Sequence, residues 1–518
     1  MNVQPDVIVI GSGVGGATTA RRLAENGVNV LMLERGDWVA REDQNWSVAS
    51  VFFEKRYTAH DTWLDANGAE FRPGIYYNVG GCTKFYGGSM IRFRERDFNA
   101  LTHKEGVAPA WPISYAELEP YYYQAEQMFK VHGDDTDDPS APWRSQPYPY
   151  PGIANEPVVA QMASAMRGQG VRTSALPLAV DYAPIGSCSL CKTCDGFPCK
   201  LGAKLDAETA QVLPGLATGK ITLQTNARVQ RLLLSDDGAR VSAVEVEING
   251  TLQTLTAKLV VVACGAVNSA ALLLRSACPA APKGVANRSD VVGRHYMAHN
   301  QTALMGLSFR ENTTTFQKTL AMNEFYFGAP DYPYPLGHAQ MLGKLQGGML
   351  SANVPFLPKA VGVSMARHSI DWIVFSEDLP DPDNRVLIKD DKVQLDIRRN
   401  NLAPHKELVK RLAKLLRASG YPVVLTKPLI KHSTSHQCGT VRFGHDPKTS
   451  ALDAYCRSHD HANLFVIDAS FMPSSAAVNP ALTIAAQALR AADHILMRDF
   501  SIAVDNANLL RTAGAGHE

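Results

Sequence analysis

The sequence predicts an α/β fold of the Rossmann type, interrupted by an inserted antiparallel sheet with helices. Three observations carry that prediction. Residues 6–34 form a strand–turn–helix–strand unit that ends on an acid. The same α/β pattern returns near the C-terminal end, from residue 463 onward. Between about residues 300 and 430 the pattern changes: Met-, Phe-, Tyr- and Gly-rich strands alternate with Pro-containing loops.

In the first unit, Asp6-Val7-Ile8-Val9-Ile10 is a short apolar run that breaks into Gly11-Ser12-Gly13-Val14-Gly15-Gly16. Ala17 to Glu25 reads as a helix, Asn26-Gly27 stops it, and Val28 to Leu33 is a second strand ending on Glu34. Gly11 permits the tight turn, Gly13 lets the backbone approach a pyrophosphate, and Gly16 lets the helix lie close to the sheet. The helix N-terminus offers unpaired N–H groups and a partial positive charge. Glu34 can accept hydrogen bonds from an adenosine ribose. A plain βαβ unit with a glycine-rich turn is the simpler reading, and the complete unit with its terminal acid argues against it.

At 518 residues the chain exceeds one ordinary core, so two intertwined domains are expected. It carries 51 basic and 50 acidic residues, a net charge of +1, which gives no attraction for nucleic acid. No run of about eighteen apolar residues suggests a membrane span. The N-terminus has no basic stretch followed by an apolar one, and Arg21-Arg22 lies inside the predicted helix rather than in an export signal. The expected address is the cytoplasm.

Farther along, Tyr76 to Ser89 holds two glycine pairs, Gly80-Gly81 and Gly87-Gly88, among aromatic neighbours; such a loop can lie against a flat ligand. Ser114 with Glu117 is a capping-box start for a helix running through Tyr121, Tyr122, Tyr123 and Phe129. Residues 134–156 read as a long loop. Ile221 to Val246 alternates around Asp236-Asp237-Gly238, a hairpin signal. Ala257 to Ala263 is a buried strand, Cys264 reads as a small buried strand residue at its end, and a helix covers Ala271 to Ala277. Asn401 to Ser419 is a basic amphipathic helix. Asn463 to Ala469 is a strand ending on Asp468, and Pro480 begins a helix through Met497.

Four of the nine cysteines cluster as Cys188-x-x-Cys191-x-x-Cys194-x-x-x-x-Cys199. The spacing lies near the bacterial ferredoxin pattern, with one residue too many before the last cysteine and Pro198 before rather than after it. Four such thiols could hold an iron–sulfur cluster or Zn²⁺, form two disulfides, or stay free.

Taken in order, these pieces resemble the glucose–methanol–choline oxidoreductases, flavoproteins that oxidise alcohols. The resemblance spans nearly the whole chain. It rests on the Gly11–Gly16 turn with Glu34, the Gly80–Ser89 loop, Cys264-Gly265-Ala266-Val267-Asn268-Ser269 and Val292-Gly293-Arg294-His295. Two further strings are the most specific: His436-Gln437-Cys438-Gly439-Thr440 and Asn479-Pro480-Ala481-Leu482-Thr483. It implies a Rossmann-type FAD-binding domain with an inserted substrate domain, and an enzyme acting on CH–OH groups. Trp111-Pro112-Ile113-Ser114-Tyr115 and the cysteine-bearing insert look closest to bacterial sugar, glycoside and polyol members, including pyranose-oxidase-like ones.

The resemblance implies that His436 faces the flavin N5 edge as base and that Asn479 is its partner. A base suited to an alcohol titrates near neutral pH, and the Asn479 amide can donate to the same oxygen. The Asn479 side chain also stands where it could cap the Pro480 helix. The cofactor-binding set expected from the same strings is Gly11, Ser12, Gly13, Gly16, Glu34, Arg35, Gly80, Gly81, Cys82, Gly88, Val229, Ala263, Gly265, Asp468, Ala469, Asn479, Pro480 and Thr483. Asp468 is expected beside the ribityl chain, with a plain polar strand end as the alternative, and Val229 lends backbone to the adenine end. Some pyranose oxidases bond a histidine to the flavin shortly after the first glycine pair; Phe85 stands there here, so the FAD is expected to be non-covalent.

The resemblance divides the chain into FAD-binding parts at 1–100, 181–299 and 435–518, a lid segment at 101–180 and a substrate domain at 300–434. The partners it implies are a small alcohol or sugar substrate, and O2 or an electron-transfer partner as acceptor. Some sugar dehydrogenases of the family pass electrons through an iron–sulfur cluster. The fold also hosts hydroxynitrile lyases, in which flavin is structural; a non-catalytic electron-transfer subunit is the remaining alternative.

Overall fold

The structure, a computed structural model, describes residues 4–183, 185–354, 356–429 and 435–504. Five parallel strands form the nucleotide-binding sheet, in the order Ile221–Gln224, Val30–Leu33, Val7–Ile10, Leu259–Val262 and Leu464–Val466. The two central strands, Val7–Ile10 and Leu259–Val262, are buried at every residue, as in a parallel sheet covered on both faces. Helix Val14–Glu25 lies against the last helix, Ala481–Asp499. Arg22 fixes that contact by gripping Asp493 with two hydrogen bonds of 2.6 and 3.2 Å.

The segment from Ile221 departs from its expected pairing. The hairpin around Asp236-Asp237-Gly238 exists, with Ala227–Leu234 against Val241–Ile248, and Thr251–Leu255 adds a third strand. Ile221–Gln224 instead joins the parallel sheet beside Val30–Leu33. A short alternating strand looks the same in either setting, so its pattern could not choose between them. The following helix starts earlier than its apolar run suggested, at Ala266, and ends at Arg275. Cys264 lies in the turn beyond the strand end, half-buried, with its thiol 3.5 Å from the Ile10 carbonyl.

The inserted sheet has six antiparallel strands in the order Val423–Leu429, Asn300–Leu307, Ser369–Ser376, His338–Met341, Leu320–Met322 and Ser174–Ala175. Its side chains alternate between two destinations. Leu304, Met322, Trp372 and Val374 enter a core with Leu408 and Leu412 of helix Leu402–Ala418 and Met162 of helix Pro157–Arg167. Gln301, Phe375 and His338 form a cross-strand row on the other face. The Ser114 capping box is formed: Ser114 accepts from Glu117 N at 3.3 Å while Glu117 accepts from Ser114 N at 2.8 Å. Among the described residues no helix is long and apolar enough to cross a membrane.

Candidate active site

The parallel strands deliver their C-terminal ends to one crevice, where open α/β sheets bind ligands. Gly11, at φ +103°, has no room for a side chain: a Cβ would stand 2.4 Å from the Ala263 carbonyl oxygen. At Gly16 a Cβ would meet the Gly11 oxygen at 2.1 Å, so the helix cannot approach unless this residue is glycine. Gly13 and Gly265, by contrast, face open space. Gly13 caps a helix with no side-chain cap and no acid in its first turn, the kind of N-terminus that can receive an anion. The second glycine loop closes over this turn, with the Cβ position of Gly81 3.0 Å from Gly13 Cα.

Glu34, expected at a ribose, bonds to the protein itself. Its carboxylate accepts from Ser12 N at 3.1 Å, Ser12 Oγ at 2.6 Å and Gly36 N at 2.9 Å. Ser12 Oγ in turn accepts from Gly80 N at 3.1 Å, so one acid holds both glycine loops. Burial raises the Glu34 pKa against these hydrogen bonds. Asp468 is placed similarly: it accepts from Gly265 N at 2.9 Å, Ser269 Oγ at 2.5 Å and Ser470 N at 2.8 Å.

The other expected cofactor residues divide between crevice and scaffold. Arg35 bonds Asp61 at 2.7 Å and covers the Tyr77 ring. Cys82 is exposed beside Tyr76, and Gly88 is buried at φ +76° with its oxygen accepting from Ala179 N. Val229 is half-buried where the hairpin register slips. The Ala469 oxygen accepts from Gly439 N at 3.2 Å, Pro480 caps the last helix, and Thr483 Oγ1 bonds the Tyr122 hydroxyl at 2.7 Å.

The two C-terminal strings meet. Asn479 Nδ2 lies 3.3 Å from His436 Nε2, and Asn479 Oδ1 is buried without a hydrogen-bond partner among the described residues. His436 is held in the left-handed region, at φ 60°, and the chain after it is pinned where Cys438 pairs with Met297. Gly439 follows at φ +91°, where a Cβ would strike the His295 oxygen at 2.3 Å. Thr440 Oγ1 ties the string to the Ala266 carbonyl at 2.6 Å.

Other partners of His436 were not singled out by any string. His299 Nδ1 is 3.0 Å from His436 Nδ1, and Phe375 lies 4.9 Å away, ring to ring. His299 Nε2 is 3.0 Å from the Ser475 carbonyl oxygen. Burial, helped by the nearby His299, His338 and Lys318, pushes the His436 pKa well below the ordinary histidine value. His436 is therefore a neutral acceptor at neutral pH rather than a group poised to titrate there.

Two family models match the chain, the N-terminal GMC oxidoreductase model over residues 6–301 and the C-terminal one over 380–488. The chain belongs to the GMC oxidoreductase family. It is 32% identical to 6'''-hydroxyparomomycin C oxidase of Streptomyces lividus, over 94% of this chain and 90% of that protein. It is 28% identical to the fructose dehydrogenase large subunit of Gluconobacter japonicus, over 95% and 97% of the two chains. Pyridoxine 4-oxidase from Mesorbium loti shares the fold, with a TM-score of 0.66 at 19% identity over 95% of this chain and 99% of that one.

In this GMC oxidoreductase the open glycines, the uncapped helix and the orphaned Asn479 oxygen fit the FAD of its family. All four thiols of the cysteine-rich segment are free, and among the described residues no group of three or more His, Cys, Asp or Glu side chains could hold an ion. Lys204 organises the segment instead, donating to the carbonyls of Tyr86, Cys194 and Phe197 at 2.7, 3.1 and 2.7 Å. Burial pushes the Cys188 thiol up to about 11 and that of Cys194 to about 12. Phe85 stacks on Tyr76 with ring centroids 3.8 Å apart.

Proposed function

We propose that this GMC oxidoreductase oxidises an alcohol group of a sugar, glycoside or polyol, with His436 Nε2 as the base and Asn479 as its partner. The observation that carries the reading is the meeting of His436 Nε2 with the Asn479 amide, 3.3 Å apart, beside a buried Asn479 oxygen without a partner among the described residues. An FAD bound in the glycine cradle supplies the hydride acceptor. His436 takes the hydroxyl proton at Nε2, and Asn479 donates an amide hydrogen to the same oxygen. Gly13, Glu34 and Asp468 hold the cofactor non-covalently, because Phe85 offers no nucleophile to link it. The sugar-like substrates named for the aminoglycoside oxidase and the fructose dehydrogenase support the substrate class.

The test is flavin reduction without oxygen, using a panel of sugars, aminoglycosides and polyols. Substrate should bleach the flavin, which a lyase would not require. His436→Ala should keep its FAD and lose about a hundredfold or more in rate. Because the His436 pKa is lowered, the neutral base persists into acid: the parental rate should be level above pH 6.5 and fall only below it. An alanine variant reducing at the parental rate would overturn the assignment.

A further inference from the structure

The contact between His436 and His299 joins two ring nitrogens of one kind, and one of them must carry the hydrogen. The far end of the contact decides which. A carbonyl oxygen only accepts, so Ser475 requires the hydrogen of His299 to sit on Nε2. Where His299 is the neutral imidazole, the hydrogen on Nε2 leaves the lone pair on Nδ1. Two lone pairs cannot share the 3.0 Å contact, so the hydrogen between the rings belongs to His436 Nδ1. His436 Nε2 is then bare, and it is the nitrogen beside the Asn479 amide, whose Nδ2 can donate to it.

We propose that His299 is a positioning residue, which holds His436 as its Nδ1–H tautomer so that the unprotonated Nε2 faces the substrate. This rests on the reading of His436 as base. The frame around His299 suits the task. His299 is buried, its backbone is fixed at φ 60°, and Asp378 accepts from the backbone N–H groups of Ala298 and His299 at 2.8 and 3.0 Å. The same carboxylate accepts from Ser475 Oγ at 3.2 Å, so one acid ties together the backbone of His299 and the residue whose carbonyl selects its tautomer. Asp378 receives no bond from the His299 ring, both of whose nitrogens are already engaged. The charged and titratable groups around the pair are Asp378, His338 and Lys318. When His436 takes a proton at Nε2, its Nδ1–H stays on His299 and no second transfer is needed.

Two substitutions separate acceptor from bulk. In His299→Asn the side-chain oxygen stands near the former Nδ1 and can still accept. His299→Leu fills similar space and accepts nothing. The readouts are the ¹⁵N spectrum of histidine-labelled, FAD-loaded protein, with the His436 signals assigned by their loss in His436→Ala, and the limiting rate and substrate affinity in anaerobic reduction across pH. The parent and Asn variant should show His436 protonated at Nδ1 and bare at Nε2. The Leu variant should lose this single tautomer and about a hundredfold in limiting rate with affinity unchanged, while Asn recovers to within about tenfold. A parental His436 carrying its hydrogen on Nε2 overturns the proposal, whatever the variants do. A Leu variant with parental rate beside an impaired His436→Ala overturns the proposal and leaves the base assignment standing. A parental rate in His436→Ala overturns the base assignment itself.

Discussion

The Glu34 carboxylate has about four lone-pair sites, and Ser12 and Gly36 occupy three of them. One site is left for a ribose hydroxyl, so removing the acid tests structure and ligand binding together. Glu34→Gln keeps the volume and one acceptor oxygen, and should weaken FAD binding about tenfold, the scale of one net hydrogen bond. Glu34→Ala should weaken it further and also lower the melting temperature of the FAD-free protein, because Ser12 and Gly36 lose their acceptor. FAD titration followed by flavin fluorescence, with melting curves beside it, checks both; an alanine variant melting with the parent would limit Glu34 to the ligand. At this scale the meeting of His436 with Asn479 was legible, since each sits in a compact string that names a local geometry. His299 was not. Its partners lie 137 and 176 positions away, and nothing in its immediate neighbours marks a residue whose meaning comes only from the far side of the fold.

Among the elements, the cysteine-rich segment shows an order that its spacing does not report. Its organising residue is a cation: three ammonium hydrogens of Lys204 meet three carbonyls, two from the segment and one from the loop over the nucleotide turn. Gly196 N adds a bond to the Phe85 oxygen at 3.0 Å, and Asp195 pairs with Lys318 at 2.5 Å. Cysteine spacing reports the reach between thiols but not what the backbone between them is bonded to. Lys204→Met should leave those carbonyls unpaired and loosen the segment. Alkylation of Cys194, buried in the parent, should then become much faster in the native protein, as mass spectrometry of labelled peptides would show. Unchanged labelling would mean that Asp195 and Gly196 suffice to hold the segment.

Across the whole molecule, the two ends of the chain build one sheet, and Arg22 and Asp493 join the helices that follow from that arrangement. The side chains of this pair are 8% and 1% exposed, so the Arg22–Asp493 ion pair is held in the interior. Arg22→Met should destabilise the FAD-free protein by about 3–5 kcal/mol, measured by denaturant unfolding. Excess FAD should restore part of the loss, because it binds only the folded chain; a midpoint equal to the parent's would remove the pair from the account of stability. The two-ended α/β arrangement was readable because strand, glycine turn and acid recur as patterns. The place of Ile221–Gln224 was not, because sheet membership is settled by a partner nearly two hundred residues upstream.

That two-ended sheet also sets an order of events during synthesis. Val7–Ile10 and Val30–Leu33 leave the ribosome well before Leu464–Val466 and Asp468, which complete the same sheet. At roughly 5–20 residues per second, about 20–90 s separate the first strands from the last. Through that interval the nascent chain carries an apolar, β-branched sheet without its final strand, a surface that chaperones bind and that other chains can pair with. Asp468, which bonds Gly265 N, and the Ala481–Asp499 helix are made after the first strands, so the crevice is complete only once they have emerged.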